Sequence, residues 1–287
     1  MVQLLECDIQ TKEVLNWTGL HVLHAPMSSC SQKLRIFLNL KGLQWTSHVI
    51  DIAAKQNLSP WFLGINPRGL VPVLVDDGHV HIESNDILLY LEDQFPDPAL
   101  MPRDQRNTIA EMLTFEDDLH LDLRALSARV FFTPDQPPKT DEDLKRYKNT
   151  GSGTVQGKKD RHIEREANFW SDFARQGITE TQTCNSAKKF NAALNDLDKR
   201  LQNHPFILGD ELTLIDIAWV IYAERLRLVG YPLQRLHPYV GKWWEKLSKR
   251  PEVAREIMLP PPLVEYAGAR QAEMRNMNQT LEDICFS

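Results

Sequence analysis

Two clusters of hydrogen-bonding and reactive side chains stand out in this chain. The first is Ser28-Ser29-Cys30-Ser31, continuing as Gln32-Lys33-Leu34-Arg35. The second is Val71-Pro72-Val73-Leu74, followed by Ile82-Glu83-Ser84-Asn85. Hydroxyls and a thiol at a helix start lie where unpaired backbone N–H groups and the helix dipole favour an anion. Such a site can stabilise a bound anion through the hydroxyl of Ser28 or Ser29. It can also depress the pKa of Cys30, whose thiolate would then exchange with a disulfide. The plain alternative for Ser28 is a helix N-cap and nothing more. Glu83 and Ser84 bring a carboxylate and a hydroxyl to a second helix start, which would favour a ligand carboxylate. Capping by Ser84 is the plain alternative there, and for Pro72 it is an ordinary proline opening an edge strand.

The elements that must position these residues follow from periodicity. Residues 20–24 (LHVLH) are β-prone, and residues 31–41 carry Leu34, Phe37, Leu38 and Leu40 on one helical face before Gly42. Residues 44–51 alternate like a strand, residues 60–65 form a short helix, and Asn66-Pro67-Arg68-Gly69 is a turn. Residues 72–75 and 79–82 flank Asp76-Asp77-Gly78, a hairpin signal. Residues 84–95 predict a helix capped by Ser84. This β-α-β-α-β-β-α order predicts a small sheet with helices on its faces.

A Pro-rich stretch, 97–104, fits a linker, and no strand is expected after it. Helical pattern occupies 105–132, 161–175, 184–203 and 213–228, then 238–250 and 252–258. Thr213-x-x-Asp216 resembles a capping box. Residues 133–157 are polar, with Pro, Gly, Ser and Lys, and predict a loop of little structure, a functional or mobile insertion. Residues 1–19 form an extension without period, and residues 260–287 a proline-led tail.

The 287 residues are 42% apolar and 25% charged with a net charge of −6, which supplies a core and argues against a broad nucleic-acid or anionic-membrane surface. No stretch approaches the roughly 20 apolar residues that span a bilayer. The start is not expected to be a secretory signal. Cys7, Cys30, Cys184 and Cys285 are scattered without metal-ligand spacing, so reduced thiols and a cytoplasmic protein are the expectation.

In this order and spacing, residues 20–258 resemble the soluble glutathione transferase family. Four matches carry the likeness: the strand–SSC–helix turn, the turn-Val-Pro strand, the Glu-Ser helix start, and Leu208-Gly209-Asp210-x-Leu212-Thr213-x-x-Asp216. The SSC run is most similar to the zeta class, whose members are glutathione-dependent isomerases, although Lys33 stands where they usually have Arg. The insertion and Ser-Gln-Lys also resemble the ganglioside-induced differentiation-associated relatives. The resemblance implies a thioredoxin-like glutathione-binding domain over 20–96 and an all-helical domain over 105–259, the latter carrying the insertion and the electrophile pocket.

It further implies roles for single residues. Ser28, or else Ser29, would donate a hydrogen bond to the glutathione thiolate, and Cys30 would be either second to it or a thiol-exchanging nucleophile. Val71, before a cis Pro72, would pair with the cysteinyl unit. Glu83 would take the γ-glutamyl ammonium and Ser84 its carboxylate, while Lys55 or Gln56 would reach the glycyl carboxylate. Phe115, Leu119, Asp122 and Arg124 would line the electrophile pocket, with core packing as their plain alternative. Glutathione would be the cosubstrate, no metal would be needed, and the chain would form a homodimer. The implied function is a glutathione transferase acting on a small electrophile. An isomerase, an ether-cleaving or dehalogenating enzyme, a thiol transferase and a non-catalytic binding protein are the rivals.

Overall fold

A computed structural model of the chain describes residues 2–286. In chain order it contains β1 (Val2–Gln3), β2 (Leu20–His24), α1 (Ser29–Lys41), β3 (Thr46–Val49), α2 (Pro60–Leu63), β4 (Val73–Asp76), β5 (His79–Ile82) and α3 (Ser84–Gln94). There follow α4 (Arg106–Asp118), α5 (His120–Phe131), α6 (Asp141–Lys148), β6 (Thr154–Val155), β7 (Lys158–Lys159), α7 (His162–Gln176) and α8 (Glu180–Leu201). The chain continues through α9 (Leu214–Leu228), α10 (Leu233–Leu236), α11 (Pro238–Leu247), α12 (Pro251–Ile257), α13 (Pro261–Asn276) and α14 (Leu281–Cys285). These elements form two compact units. One is Met1–Pro96 with Pro134–Gln176; the other is Asp97–Thr133 with Gly177–Ser287.

The first unit is built on a sheet of order β1-β5-β4-β2-β3. β2 and β3 run parallel through the α1 crossover, and β4 pairs antiparallel with both β2 and β5. The β4–β5 turn places Asp77 and Gly78 at φ 45° and 81°, the pair of positive values that a tight hairpin needs. Alternate residues Val73 and Val75, Val80 and Ile82, with Leu23, face one apolar cluster that also holds Phe62 and Ile65. Thioredoxin-like is therefore the right description of this unit, with a fifth strand added.

That added strand corrects the reading of residues 1–19. β1 pairs with β5, Val2 opposite Ile82, and Leu4, Ile9 and Val14 are buried in the same apolar cluster. Their spacing of five fits neither strand nor α-helix, because single-turn 3₁₀ segments at Glu6–Asp8 and Lys12–Asn16 carry the chain between them. Periodicity was blind to an element that changes conformation every few residues.

The 133–157 stretch is likewise ordered, not a loop. Thr140 and Asp143 form a capping box at the start of α6. β6 and β7 make a hairpin whose Gln156 and Gly157 lie at φ 53° and 71°, so there are strands after residue 104. Tyr147 is fully buried with Leu58, Leu63 and Ile163. Val155 joins the apolar cluster under the sheet. Asp8, fully buried, gathers the N-terminal segment and the hairpin: it accepts from Leu5 N at 2.9 Å, Thr154 Oγ1 at 2.7 Å and Gly157 N at 3.0 Å.

The second unit is helical. α9 is buried on nearly every face, as its run of apolar residues requires. At its start Asp216 accepts from Thr213 N, Ile207 N and Trp243 Nε1, so the Thr-x-x-Asp box also ties α11 to α9. One expectation is overturned: Cys184 on α8 and Cys285 on α14 are disulfide-bonded, and only Cys7 and Cys30 remain thiols. Spacing of 101 residues hid this pair.

Replacing the buried Asp8 with alanine would remove the shared acceptor that joins the N-terminal segment to the β6–β7 hairpin. The expected loss is about 1.5–3 kcal/mol, a value for hydrogen bonds to a charged group, read as a lower denaturant midpoint at unchanged slope.

Candidate active site

The strand-to-helix turn between β2 and α1 is held from behind. Arg35, buried on α1, donates to the carbonyls of Ala25 and Pro26 at 3.2 and 3.0 Å and contacts His24 Nδ1 at 3.1 Å. Ser31 Oγ accepts from Ala25 N at 3.3 Å. Ser28 follows in an extended conformation, φ −70° and ψ 123°, and its Oγ accepts from Ser31 N at 3.3 Å. Ser28 is thus the N-cap. The cap bond uses only the oxygen, and the hydroxyl still has its O–H to donate. Ser29 opens the helix, and Cys30 is half-buried in its first turn. Glycine at 42, φ 65°, closes α1 in the left-handed region.

The second cluster lies at the start of α3. A cis Val71–Pro72 bond leads into β4. Glu83 occupies the N-cap position with φ 68° and ψ 115°, a strained setting for a residue with a side chain. Ser84 is the first helical residue, is buried, and makes no side-chain cap bond, which corrects its expected capping role. The Glu83 carboxylate accepts from Arg68 Nη1 at 2.6 Å. The same guanidinium forks onto Asp160, Nε to Oδ2 at 2.6 Å and Nη2 to Oδ1 at 3.2 Å. Tyr147 donates to the Arg68 carbonyl at 2.6 Å. Burial pulls the Arg68 pKa down, but its two carboxylates outweigh that and hold it above its ordinary value. Burial raises Asp160 and the Arg68 bonds lower it more, so its carboxyl titrates below the usual range. Burial keeps neighbouring His162 below the ordinary imidazole value.

Lys55 and Gln56 sit on the loop before α2, Lys55 at φ 59°. The Lys55 ammonium is ion-paired with Asp143 of α6. Asp143 also accepts from Thr140 N at 2.9 Å, Thr140 Oγ1 at 2.8 Å and Arg146 at 3.0 Å. Gln56 turns the other way: its Oε1 accepts from Asp51 N at 2.9 Å. It lines a groove of about 490 Å³ with His48, Val49, Ile50, Ser59 and Trp61, beside the edge strand β3. That groove contains none of Ser28, Val71 or Glu83, so it is not the site these residues define.

Residues 27–94 match the profile of the glutathione S-transferase N-terminal domain, and residues 163–255 that of its C-terminal domain. The chain belongs to the glutathione transferase family. A zeta-class glutathione S-transferase of Euphorbia esula is 44% identical over 77 residues, which cover 27% of this chain and 34% of that protein. Glutathione S-transferase F10 of Arabidopsis thaliana is 24% identical over 251 residues, 83% of this chain and 98% of the relative. Among solved structures, the β-etherase LigF from Sphingobium sp. strain SYK-6 superposes with a TM-score of 0.67 at 24% identity, covering 83% of this chain and 98% of that one. The zeta-class match spans only about a third of its relative's length.

For a glutathione transferase, the second unit's residues are less specific. Asp122 on α5 accepts from Ser186 Oγ at 2.7 Å and Lys189 Nζ at 2.9 Å, both on α8, which is an interhelical tie. Leu119 is buried at the break between α4 and α5, Phe115 is exposed on α4, and Arg124 lies on α5. Among the described residues, no cluster of metal-ligating side chains occurs. No helix among them is long and apolar enough to cross a membrane.

The sequence reading missed Arg35, Arg68, Asp143, Tyr147 and Asp160. Arg35 follows the SSC motif by five positions and was there to be seen. The acids gave no local signal, because their partners are 88 and 92 residues away.

Asp143 supplies a pH test. Burial raises its carboxyl, but bonds from Lys55 and Thr140 win and bring it from 3.8 to about 2. A depressed folded-state pKa contributes stability above the unfolded value, lost as pH falls through the folded one. Protection factors over α6, exchange measured relative to the intrinsic rate at each pH, are therefore expected to stay high above about pH 4 and to fall toward pH 2, with the Asp143→Asn variant less protected at pH 6 and flatter across that window.

Proposed function

We propose that this chain binds glutathione on its first unit and joins the glutathione sulfur to a small electrophile. The observation that carries the reading is Ser28 at the start of α1, with a donor hydroxyl on a turn clamped by Arg35. Glutathione would lie from this helix start to that of α3. Its cysteinyl unit would pair with Val71 beside Pro72, as an added strand. Its γ-glutamyl end would meet Glu83 and Ser84, and its glycyl end would point to Lys55 or Gln56. The residues at α1 and α3 fit this cosubstrate. Lys55 is already paired, so its fit is the weakest of the set.

The chemistry is a displacement or addition. The thiol loses its proton to solvent, the thiolate attacks an electrophilic carbon, a C–S bond forms, and any leaving group departs with its electron pair. A free thiol of pKa near 8.5 is only about 3% ionised at pH 7. A hydroxyl hydrogen bond and the α1 N-terminus both favour the anion. Holding both reactants together supplies the rest of the acceleration. The named candidates for contacting the acceptor are Phe115, Leu119, Asp122 and Arg124. The protein would act in the cytoplasm as a homodimer in detoxification, the setting typical of this family.

A zeta-like isomerase is the second reading. It is favoured by the SSC run and by the partial likeness to a zeta-class relative. In it, glutathione adds to a double bond and leaves again after rotation, so none is consumed. The likeness to the β-etherase carries only the fold, and ether cleavage rests on no residue identified in this chain.

The test is turnover of an electrophile panel by the parent, Ser28→Ala, Ser29→Ala and Cys30→Ala. Ser28→Ala is expected to lower kcat/KM by roughly tenfold to a hundredfold, the worth of one hydrogen bond to an anion, while binding of S-hexylglutathione is unchanged. Loss confined to Cys30→Ala, with disulfide exchange by the parent, would replace this reading with thiol transfer.

A further inference from the structure

The guanidinium that clamps the Ser28 turn is itself aimed by a neighbour. His24 ends β2 and is buried between Ser47 of β3 and Arg35 of α1. Its Nδ1 is 3.1 Å from Arg35 Nη1, and its Nε2 is 2.8 Å from Ser47 Oγ. A guanidinium only donates, so Nδ1 is the bare nitrogen. The proton of the neutral ring therefore sits on Nε2 and is donated to Ser47. Trp45 packs edge-on against the same ring, with centroids 5.3 Å apart. His24 thus presents Arg35 with an acceptor of fixed position and fixed tautomer.

Arg35 divides its N–H groups to match. One Nη1 hydrogen meets His24 Nδ1 and the other the Ala25 carbonyl, at 3.2 Å, while Nη2 reaches the Pro26 carbonyl at 3.0 Å. The Ala25 carbonyl also accepts from Ser28 N at 3.2 Å, and Ala25 N donates to Ser31 Oγ at 3.3 Å. Direct hydrogen bonds therefore run from Ser47 through His24, Arg35 and Ala25 to the backbone of Ser28. Taking the imidazole away leaves a buried Arg35 N–H without that acceptor, and an unmade buried bond is costly enough to turn the guanidinium. Its hold on both carbonyls then changes, and the Ser28 hydroxyl moves with them. A hydrogen bond weakens steeply once its donor points off line.

We infer that His24 is a positioning residue for the sulfur end of the site: through Arg35 and the Ala25 carbonyl it sets the direction of the Ser28 hydroxyl. This rests on the glutathione reading above and deepens it. His24 acts through its neighbours and does not touch the peptide.

The experiment reads the thiolate absorbance of glutathione bound to the full chain at pH 7. It compares the parent, Ser28→Ala, His24→Leu, His24→Asn and the Ser28→Ala/His24→Leu double variant. The parent is expected to hold a thiolate that Ser28→Ala lowers. His24→Leu offers Arg35 no acceptor and should lower the ionised fraction by about threefold. His24→Asn places Oδ1 where Nδ1 stood and should restore the parent value. The double variant should match Ser28→Ala alone, because no hydroxyl is left to position. A residue that only stabilised the core would not show this dependence on Ser28. An unchanged thiolate in His24→Leu would overturn the inference, as would a further loss in the double variant. If His24→Leu does not fold, His24→Asn decides: a parent-like thiolate supports the inference, and one as low as in Ser28→Ala overturns it. In those cases Ser28 still acts on the sulfur, so the glutathione reading survives. Absence of glutathione binding to the parent, or a bound thiolate indifferent to Ser28, overturns both.

Discussion

The Arg68 guanidinium binds two carboxylates at once, Glu83 at the start of α3 and Asp160 just after β7, while Tyr147 holds its carbonyl. Much of the first unit depends on this arrangement. Glu83 sits at a positive φ that costs on the order of 1–3 kcal/mol, and such a conformation persists only where neighbours over-determine it. Arg68 is one of those neighbours. Asp160 is what completes the fork, and it comes from a segment far along the chain. Asp160, just past the 133–157 segment, is therefore structural support for a proposed ligand-binding residue.

The same segment is anchored at two further points. Tyr147 is buried among Leu58, Leu63 and Ile163, on the side of the loop that carries Lys55. Asp8 joins the β6–β7 hairpin to the N-terminal segment. The N-terminal segment and the 133–157 segment thus pack on one another and on the same sheet. This explains why neither could be understood alone: each supplies the polar partners that the other needs when buried.

Much of the sheet was legible in the sequence. β2, the β4–β5 hairpin, α1 and α3 follow from alternation, helical spacing and turn chemistry, all of which act over a few residues. Three of the four matches behind the family likeness lie on these same elements, and the fourth, residues 208–216, leads into α9. The rest depended on distance. Leu4, Ile9 and Val14 have no shared period because 3₁₀ turns separate them. α6 has only eight residues, and its buried Leu144 and Tyr147 lie among charges, so it read as a loop. The Lys55–Asp143, Arg68–Asp160 and Cys184–Cys285 pairs join residues 88 or more apart, and spacing alone does not choose such partners. Ser28 and Glu83 were named from motif and position, and they occupy the N-cap places of α1 and α3. That Ser84 does not cap its helix was visible only in the backbone, where Glu83 takes the N-cap place.

The account makes the sulfur end of the site a hydroxyl on a clamped turn at a helix N-terminus. That claim concerns a proton, so it is tested most directly by the proton. Thiolate absorbance of glutathione bound to the full chain, followed against pH, is expected to titrate at least about one unit below free glutathione, and the shift should shrink in Ser28→Ala. Bound glutathione that titrates like the free peptide, or a shift indifferent to Ser28, would contradict it.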